Sequence, residues 1–174
     1  MDTATHIAIG IGLTALATQD PAMSHSMTAT ATTLIAGSLI PDGDTVLKLK
    51  NNATYISHHR GITHSIPFTI LWPILLAFII YVIFPHVDVT HIWMWAQLAV
   101  FLHVFVDIFN SYGTQALRPI SNKWIQLGVI NTFDPIIFLI LCIGITLWLL
   151  GVHPYLVFFP IIGILIIYYI VRFK

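Results

Sequence analysis

Residues 66–84 read IPFTILWPILLAFIIYVIF, nineteen consecutive positions without a charged side chain. Wound as an α-helix at 1.5 Å per residue, this stretch covers about 28 Å, enough to cross the hydrocarbon core of a bilayer. Pro67 lies near its start, where a helix accepts proline, whereas Pro73 lies deeper and predicts a kink. Downstream, 91–109 is a second span, rich in Trp and Phe and carrying His103 and Asp107 within it. Residues 135–150 make a third and 155–171 a fourth, with Pro160 as another kink. Upstream, about 5–18 and 28–40, two apolar helices are expected that are short for full crossings. They suit a tilted, half-inserted or hairpin arrangement. The expected fold is therefore all-α, a polytopic membrane helical bundle with about four full transmembrane helices plus two shorter N-terminal ones. No linker or repeat divides it, so residues 1–174 read as a single membrane-embedded domain.

Composition agrees. The chain is 57% hydrophobic and 8% charged, with a mean hydropathy of +0.89. Soluble domains carry about 25% charged residues, so too few charges remain here to cover a water-facing surface. Seven basic and seven acidic residues cancel, which argues against nucleic acid as a partner. One cysteine, Cys142, stands in an apolar run and excludes an internal disulfide. Residues 1–6 lack the positive charge of a secretory signal peptide, so the N-terminus is expected to stay with the fold.

The basic residues set the orientation. Lys48, Lys50 and Arg60 fall in the 41–65 loop, Arg118 and Lys123 in the 110–133 loop, and Arg172 and Lys174 at the end. If each span crosses once, all seven lie on one side, expected to be cytoplasmic. The same topology sorts the other polar residues, which were not used to set it. His6, Asp42, Asp44, His58, His59 and His64 fall on the cytoplasmic side, with His103 and Asp107 in the same membrane half. His25, His86, His91 and His153 fall near the outer side and read as interfacial residues. Trp93 and Tyr155 read as belt anchors.

Within the inner cluster, His103-Val-Phe-Val-Asp107 is the strongest element. A spacing of four puts both side chains on one helix face, and imidazole with carboxylate suits zinc or a similar divalent ion. Ionisable groups at membrane depth are costly and usually functional, though a His–Asp hydrogen bond tying helices together would use the same pair. Next comes Ser57-His58-His59-Arg60-Gly61-Ile62-Thr63-His64-Ser65, with three His within seven residues (58–64). There Gly61 is expected to permit a tight turn, Thr63 or Ser65 to cap the following helix, and Arg60 to offer its donor fork to phosphate. Pro41-Asp42-Gly43-Asp44 can supply oxygen ligands, but in isolation reads as an ordinary turn. Thr3 is expected to cap the first helix with His6 in its first turn, and Asp134-Pro135 to be an N-cap followed by proline, with Asp134 near the site. Gly10 and Gly12 suit close helix packing.

Taken in order, Thr5-His6, Pro41-Asp42-Gly43-Asp44, His59-Arg60-Gly61-Ile62-Thr63-His64-Ser65 and His103-x-x-x-Asp107 with Tyr112-Gly113 resemble the YdjM-like family of bacterial inner-membrane metal-dependent hydrolases, in its YfhP-type branch. The likeness runs through about Pro119. More distantly, the pattern is similar to zinc-dependent phospholipase C, which implies His6, Asp42, His64, His103 and Asp107 as metal ligands. The chain departs from that family's later HxxxE element because it has no Glu, so one or two ions are expected rather than three. The implied function is metal-assisted hydrolysis of a phosphoester, such as a phospholipid head group, at the cytoplasmic face. Asp44 would accept a proton from water, while Arg60 and His59 would neutralise the phosphate. Transport of protons or a metal ion, and a non-catalytic membrane scaffold or regulator, are the alternatives. Transport would string polar residues through the full depth of the spans.

Overall fold

The computed structural model describes residues 1–49 and 60–173, except the side chains of 46–49. Helix α1 (Thr3–Ala17) is followed by one short turn of helix, α2 (Pro21–Ser24), and by α3 (Met27–Gly37). A 3₁₀ segment, η1 (Ile40–Leu49), leaves α3, and a second, η2 (Ile62–His64), leads into α4 (Ile66–Ile83). The chain continues through α5 (Val89–Asp107), α6 (Pro135–Leu149) and α7 (Pro154–Arg172). The described residues contain no strand, only isolated bridges Asn110↔Ile130 and Thr114↔Ile125 in the 110–133 loop.

The all-α membrane expectation holds, with one change in count. Helices α4, α5 and α7 are long and apolar enough to cross a bilayer, whereas α6, expected as a full span, has 15 residues. Its ends are set by local chemistry. Asp134 caps the first turn by accepting from the Ile136 and Ile137 N–H groups, and Pro135 occupies the first helical position. At the other end Gly151 takes φ 93°. The Gly151 and Val152 N–H groups return to the carbonyls of Trp148 and Leu147, a Schellman closure. Large outward side chains on the long helices, such as Phe78, Val82, Leu156 and Ile167, are more than 60% exposed. That pattern suits hydrocarbon as the surrounding medium.

Helix α1 lies at the centre. It packs on α3 to one side and on α6 and α7 to the other. One apolar core joins Leu13, Leu34, Leu76, Ile80 and Ile92, and a second joins Ala8, Ile137, Leu141, Phe158 and Ile161. Small residues bring the backbones together. A Cβ on Gly10 would stand 2.9 Å from the Ile35 Cα, one on Gly37 would stand 3.0 Å from the Ala99 Cβ, and one on Gly12 would meet Phe158 at 2.9 Å. The close-packing role expected of Gly10 and Gly12 is borne out.

The carbonyl that Pro73 frees inside the bundle is satisfied, as a lipid environment requires. Pro73 lies within α4 and cannot donate to the Thr69 carbonyl four residues earlier. The Gln97 side chain of α5 donates to that carbonyl instead, at 3.0 Å. The N-terminal cap of α1 is Asp2, not Thr3: the Asp2 carboxylate accepts from the Ala4 and Thr5 N–H groups. Ser65 stands before α4 but makes no side-chain cap. Its hydroxyl turns back to the Ile62 carbonyl, and Pro67 at the second helical position has no N–H to offer it. At the end of the bundle where α5 begins, Asp20 Oδ2 takes hydrogen bonds from His91 Nδ1 at 2.7 Å and Trp95 Nε1 at 2.8 Å. These bonds clasp the α1–α2 junction to the start of α5.

Gly10→Val places two methyl groups against the α3 backbone, and overpacking of this kind costs about 1–3 kcal/mol. Its midpoint of thermal unfolding in detergent should fall by about 4–10 °C. Gly163→Ala, where a Cβ meets nothing within 4 Å, should leave the midpoint unchanged or slightly raised. Equal midpoints for the two variants would refute the close α1–α3 contact.

Candidate metal centre

Three separate segments deliver the four residues of the site. Asp42 comes from η1, His64 from the end of η2, and His103 and Asp107 from the last turns of α5. His64, His103 and Asp107 are fully buried. One ligand atom from each of these four residues lies within 4.8 Å of all the others. His64 Nε2 stands 3.2 Å from His103 Nε2. Asp42 Oδ1 is 3.6 Å from each of those nitrogens, and Asp107 Oδ2 is 3.5 Å from His64 Nε2 and 3.8 Å from His103 Nε2. A tetrahedral ion with zinc-like bond lengths has ligand–ligand edges of about 3.3–3.6 Å. The observed separations bracket that value.

Protons decide whether these atoms bond to one another or to a cation. His103 Nδ1 is 2.6 Å from the Ser38 carbonyl, which can only accept, so Nδ1 carries the hydrogen and Nε2 presents a lone pair. Asp44 Oδ2 accepts from the Arg60 N–H at 3.0 Å and from the Thr63 hydroxyl at 3.2 Å. With its hydrogen committed to Asp44, Thr63 Oγ1 accepts from His64 Nδ1 at 3.0 Å. His64 Nε2 therefore also presents a lone pair. Two imidazole lone pairs and two carboxylate oxygens converge in a buried volume, and Asp42 Oδ1 and Asp107 Oδ2 have no hydrogen-bond donor. A metal cation satisfies all four at once. Carbonyl or hydroxyl partners that hold the far ring nitrogen are characteristic of metal-ligating histidines.

The remaining expected residues fall around this group. His6 is buried with its ring stacked on His103, centroids 3.8 Å apart. Its Nε2 is 3.3 Å from Asp107 Oδ1, the oxygen turned away from the four-atom group, and neither ring nitrogen makes a hydrogen bond. His6 is thus a neighbour of the four-atom group, on the far oxygen of a shared carboxylate. Arg60 is buried, with Nε 3.3 Å from Asp107 Oδ2, Nη2 donating to the Met1 carbonyl at 2.9 Å, and its guanidinium 5.9 Å from the Tyr112 ring centroid. The tight turn expected at Gly61 lies one residue earlier. Arg60 itself takes φ 61°, and Gly61 has φ −89°. A non-glycine residue in that region costs about 1–3 kcal/mol, and the surrounding bonds hold it there: Arg60 N–H to Asp44, Gln115 N–H to the Arg60 carbonyl. Asp44, expected to accept a proton from water, has its Oδ2 engaged by Arg60 and Thr63 and braces His64 instead. His58 and His59 lie outside the described residues.

Asp134 is not part of the group. Its carboxylate caps α6 and accepts from the Tyr168 hydroxyl at 2.9 Å, tying α6 to α7. Sequence reasoning treated Thr63 as a cap candidate and did not single out Ser38; both orient ligands. Thr63 sits beside His64 in the chain, which is a usable signal, whereas Ser38 acts through a carbonyl 65 residues away from His103. Asn110 completes the floor: Nδ2 donates to Asp107 Oδ1 at 3.2 Å, and Oδ1 accepts from the Tyr112 and Gly113 N–H groups.

Thr63→Val keeps the side-chain shape but removes the acceptor that orients His64. Metal affinity, measured by competition with a chromophoric chelator, should fall about 10–100-fold. Asp134→Asn should leave affinity unchanged while lowering thermal stability. Unaltered affinity in Thr63→Val would refute the deduced hydrogen placement.

The whole chain, residues 1–174, matches the model of the YdjM inner membrane protein family. It is 52% identical over 179 residues to the uncharacterized protein YfhP of Bacillus subtilis (strain 168), an alignment covering 99% of this chain and 54% of that relative. The chain therefore spans about half the length of the curated relative it matches. No solved structure matches it. The resemblance read from His6, Asp42, His64 and the His103–Asp107 pair is thus matched along the full sequence: the chain belongs to the YdjM inner membrane protein family.

Proposed function

We propose that this chain is a membrane-embedded metal-dependent hydrolase of phosphoesters, acting on a lipid head group at the cytoplasmic face of the bacterial inner membrane. The observation that carries the reading is the buried convergence of His64 Nε2, His103 Nε2, Asp42 Oδ1 and Asp107 Oδ2. A donor set of two imidazoles and two carboxylates suits zinc. An ion held there would supply Lewis acidity and activate water at neutral pH. A divalent cation would offset the carboxylates of Asp42 and Asp107. The Arg60 guanidinium beside Asp107 is the cationic side chain proposed to meet the phosphate. Its planar donor fork matches a phosphate. His59, next to Arg60 in sequence, keeps its proposed role beside the phosphate. His6, against the outer oxygen of Asp107, steadies that carboxylate and is the candidate ligand if a second ion binds.

The distribution of polar groups supports hydrolysis over transport. Among the described residues, the buried hydroxyls along the helices, Thr14, Thr30 and Thr33, donate to the carbonyls of Gly10, Met23 and Ala29. They are bound to backbone and offer no titratable relay. The inward orientation follows the Lys and Arg distribution.

The test uses protein purified in detergent with its metal retained. Elemental analysis should find a divalent ion bound, and phospholipid hydrolysis should be abolished by chelation and restored by zinc. His103→Ala and Asp107→Ala should each weaken metal binding by at least about 100-fold and abolish hydrolysis. Full metal content in both variants would overturn the ligand assignment. Full content in the wild type without hydrolysis of any phospholipid would overturn the enzymatic reading, and metal uptake into proteoliposomes would replace it with transport.

A further inference from the structure

Beside the metal centre runs an apolar cleft of about 440 Å³, walled by α1, α5, α6 and α7. Its lining on α7 extends from Phe158 to Phe173. Fifteen residues of helical rise correspond to about 22 Å, longer than the roughly 15 Å of hydrocarbon in one leaflet. A groove of this length and volume is long and narrow enough to take a hydrocarbon chain in van der Waals contact with its walls. The cleft is open along one side, where Phe105, Ile162, Ile166 and Phe173 are 44–61% exposed.

The cleft and the metal centre share a wall. Helix α5 turns His103 and Asp107 toward the ligand group, while Leu102, Phe105 and Val106, from the same turns, face the cleft. Met1 lines the end of the cleft and its carbonyl accepts from Arg60, which contacts Asp107. A chain lying in the cleft therefore brings its polar end to Arg60 and the ligand group. The lining contains no charged side chain, so a polar peptide segment would leave its backbone unsatisfied there. In a bilayer the medium entering such an opening is lipid.

The geometry points to this cleft as the seat of a single acyl chain of a membrane phospholipid, held so that its head group lies at the metal centre. The inference builds on the proposed hydrolase function for its chemical consequence, but chain binding itself is a separate property. It makes the substrate a chain-bearing lipid rather than a free soluble phosphoester.

Photo-crosslinking in liposomes tests it. The probe is a phosphatidylglycerol with a diazirine in one acyl chain, and labelled residues are mapped by mass spectrometry. Labelling should concentrate on Phe105, Leu165 and Phe158 over the outward-facing Phe78 and Val82 of α4. Ile162→Trp combined with Ile166→Trp fills the open side far from the ligands. It should cut cleft labelling about tenfold, the loss of roughly two buried methylenes of contact, and leave labelling of Phe78 unchanged. In the same variant, hydrolysis of a long-chain lipid should fall mainly through KM, while a short-chain soluble analogue and metal content are unaffected. Uniform labelling of all outward faces would overturn the inference, and so would protection of the cleft residues from labelling, the result if a second copy occupies the cleft. Labelling and hydrolysis measured on the same wild-type protein separate the two readings. Cleft labelling retained where no hydrolysis occurs in any form would sink the hydrolase alone, and uniform labelling with hydrolysis intact would sink the chain seat alone.

Discussion

Two histidine lone pairs and two carboxylate oxygens facing one another inside a protein repel unless a cation lies between them. That constraint organises this structure. Each ligand is fixed from behind by a group that cannot be reversed: a carbonyl behind His103, a hydroxyl committed to Asp44 behind His64. Neither imidazole can turn its N–H toward its neighbour without breaking those bonds. The pattern differs from a buried ion pair kept for structure, because such pairs arrange donors against acceptors. Here donors reach only the flank of the group, at Asp107: Arg60 beside Oδ2, and the Met1 ammonium and the Asn110 amide at Oδ1.

The bundle is built to deliver these three segments to one end. α1 and α3 are too short to cross a bilayer, and their close approach at Gly10 makes them an internal hairpin around which the longer helices pack. The carbonyl of Ser38, just past the end of α3, reaches His103, so the hairpin determines the orientation of a ligand on α5. Arg60 joins η1, the 110–133 loop, Met1 and Asp107 through its backbone and its guanidinium. Its left-handed backbone is held by contacts on both sides, a common arrangement where a site must be rigid.

The membrane explains why the chemistry sits at an end and not midway. Between the polar floor and the Asp20–His91–Trp95 clasp at the other end, the described interior is apolar or carries hydroxyls and the Gln97 amide bound to backbone. An amphiphile can then keep its chain in hydrocarbon while its head group meets fixed charge. The side-opening cleft next to α5 gives that division a physical path.

Much of this was legible in the chain itself. Charge-free runs marked the long helices because no polar side chain tolerates the bilayer core unpaired, and the four-residue spacing of His103 and Asp107 placed them on one face because an α-helix repeats every 3.6 residues. The one-sided Lys and Arg pattern already grouped His6, Asp42 and His64 with them. Linear pattern could not show that α6 stops after 15 residues, since a Schellman turn depends on backbone closure at Gly151. Nor could it show that Arg60 rather than Gly61 makes the turn, that Asp44 serves His64 through Thr63, or that His6 lies behind Asp107. Those facts arise from contacts between residues far apart in sequence, and only the packing of α1, α3 and α5 decides which atom of each side chain faces the centre.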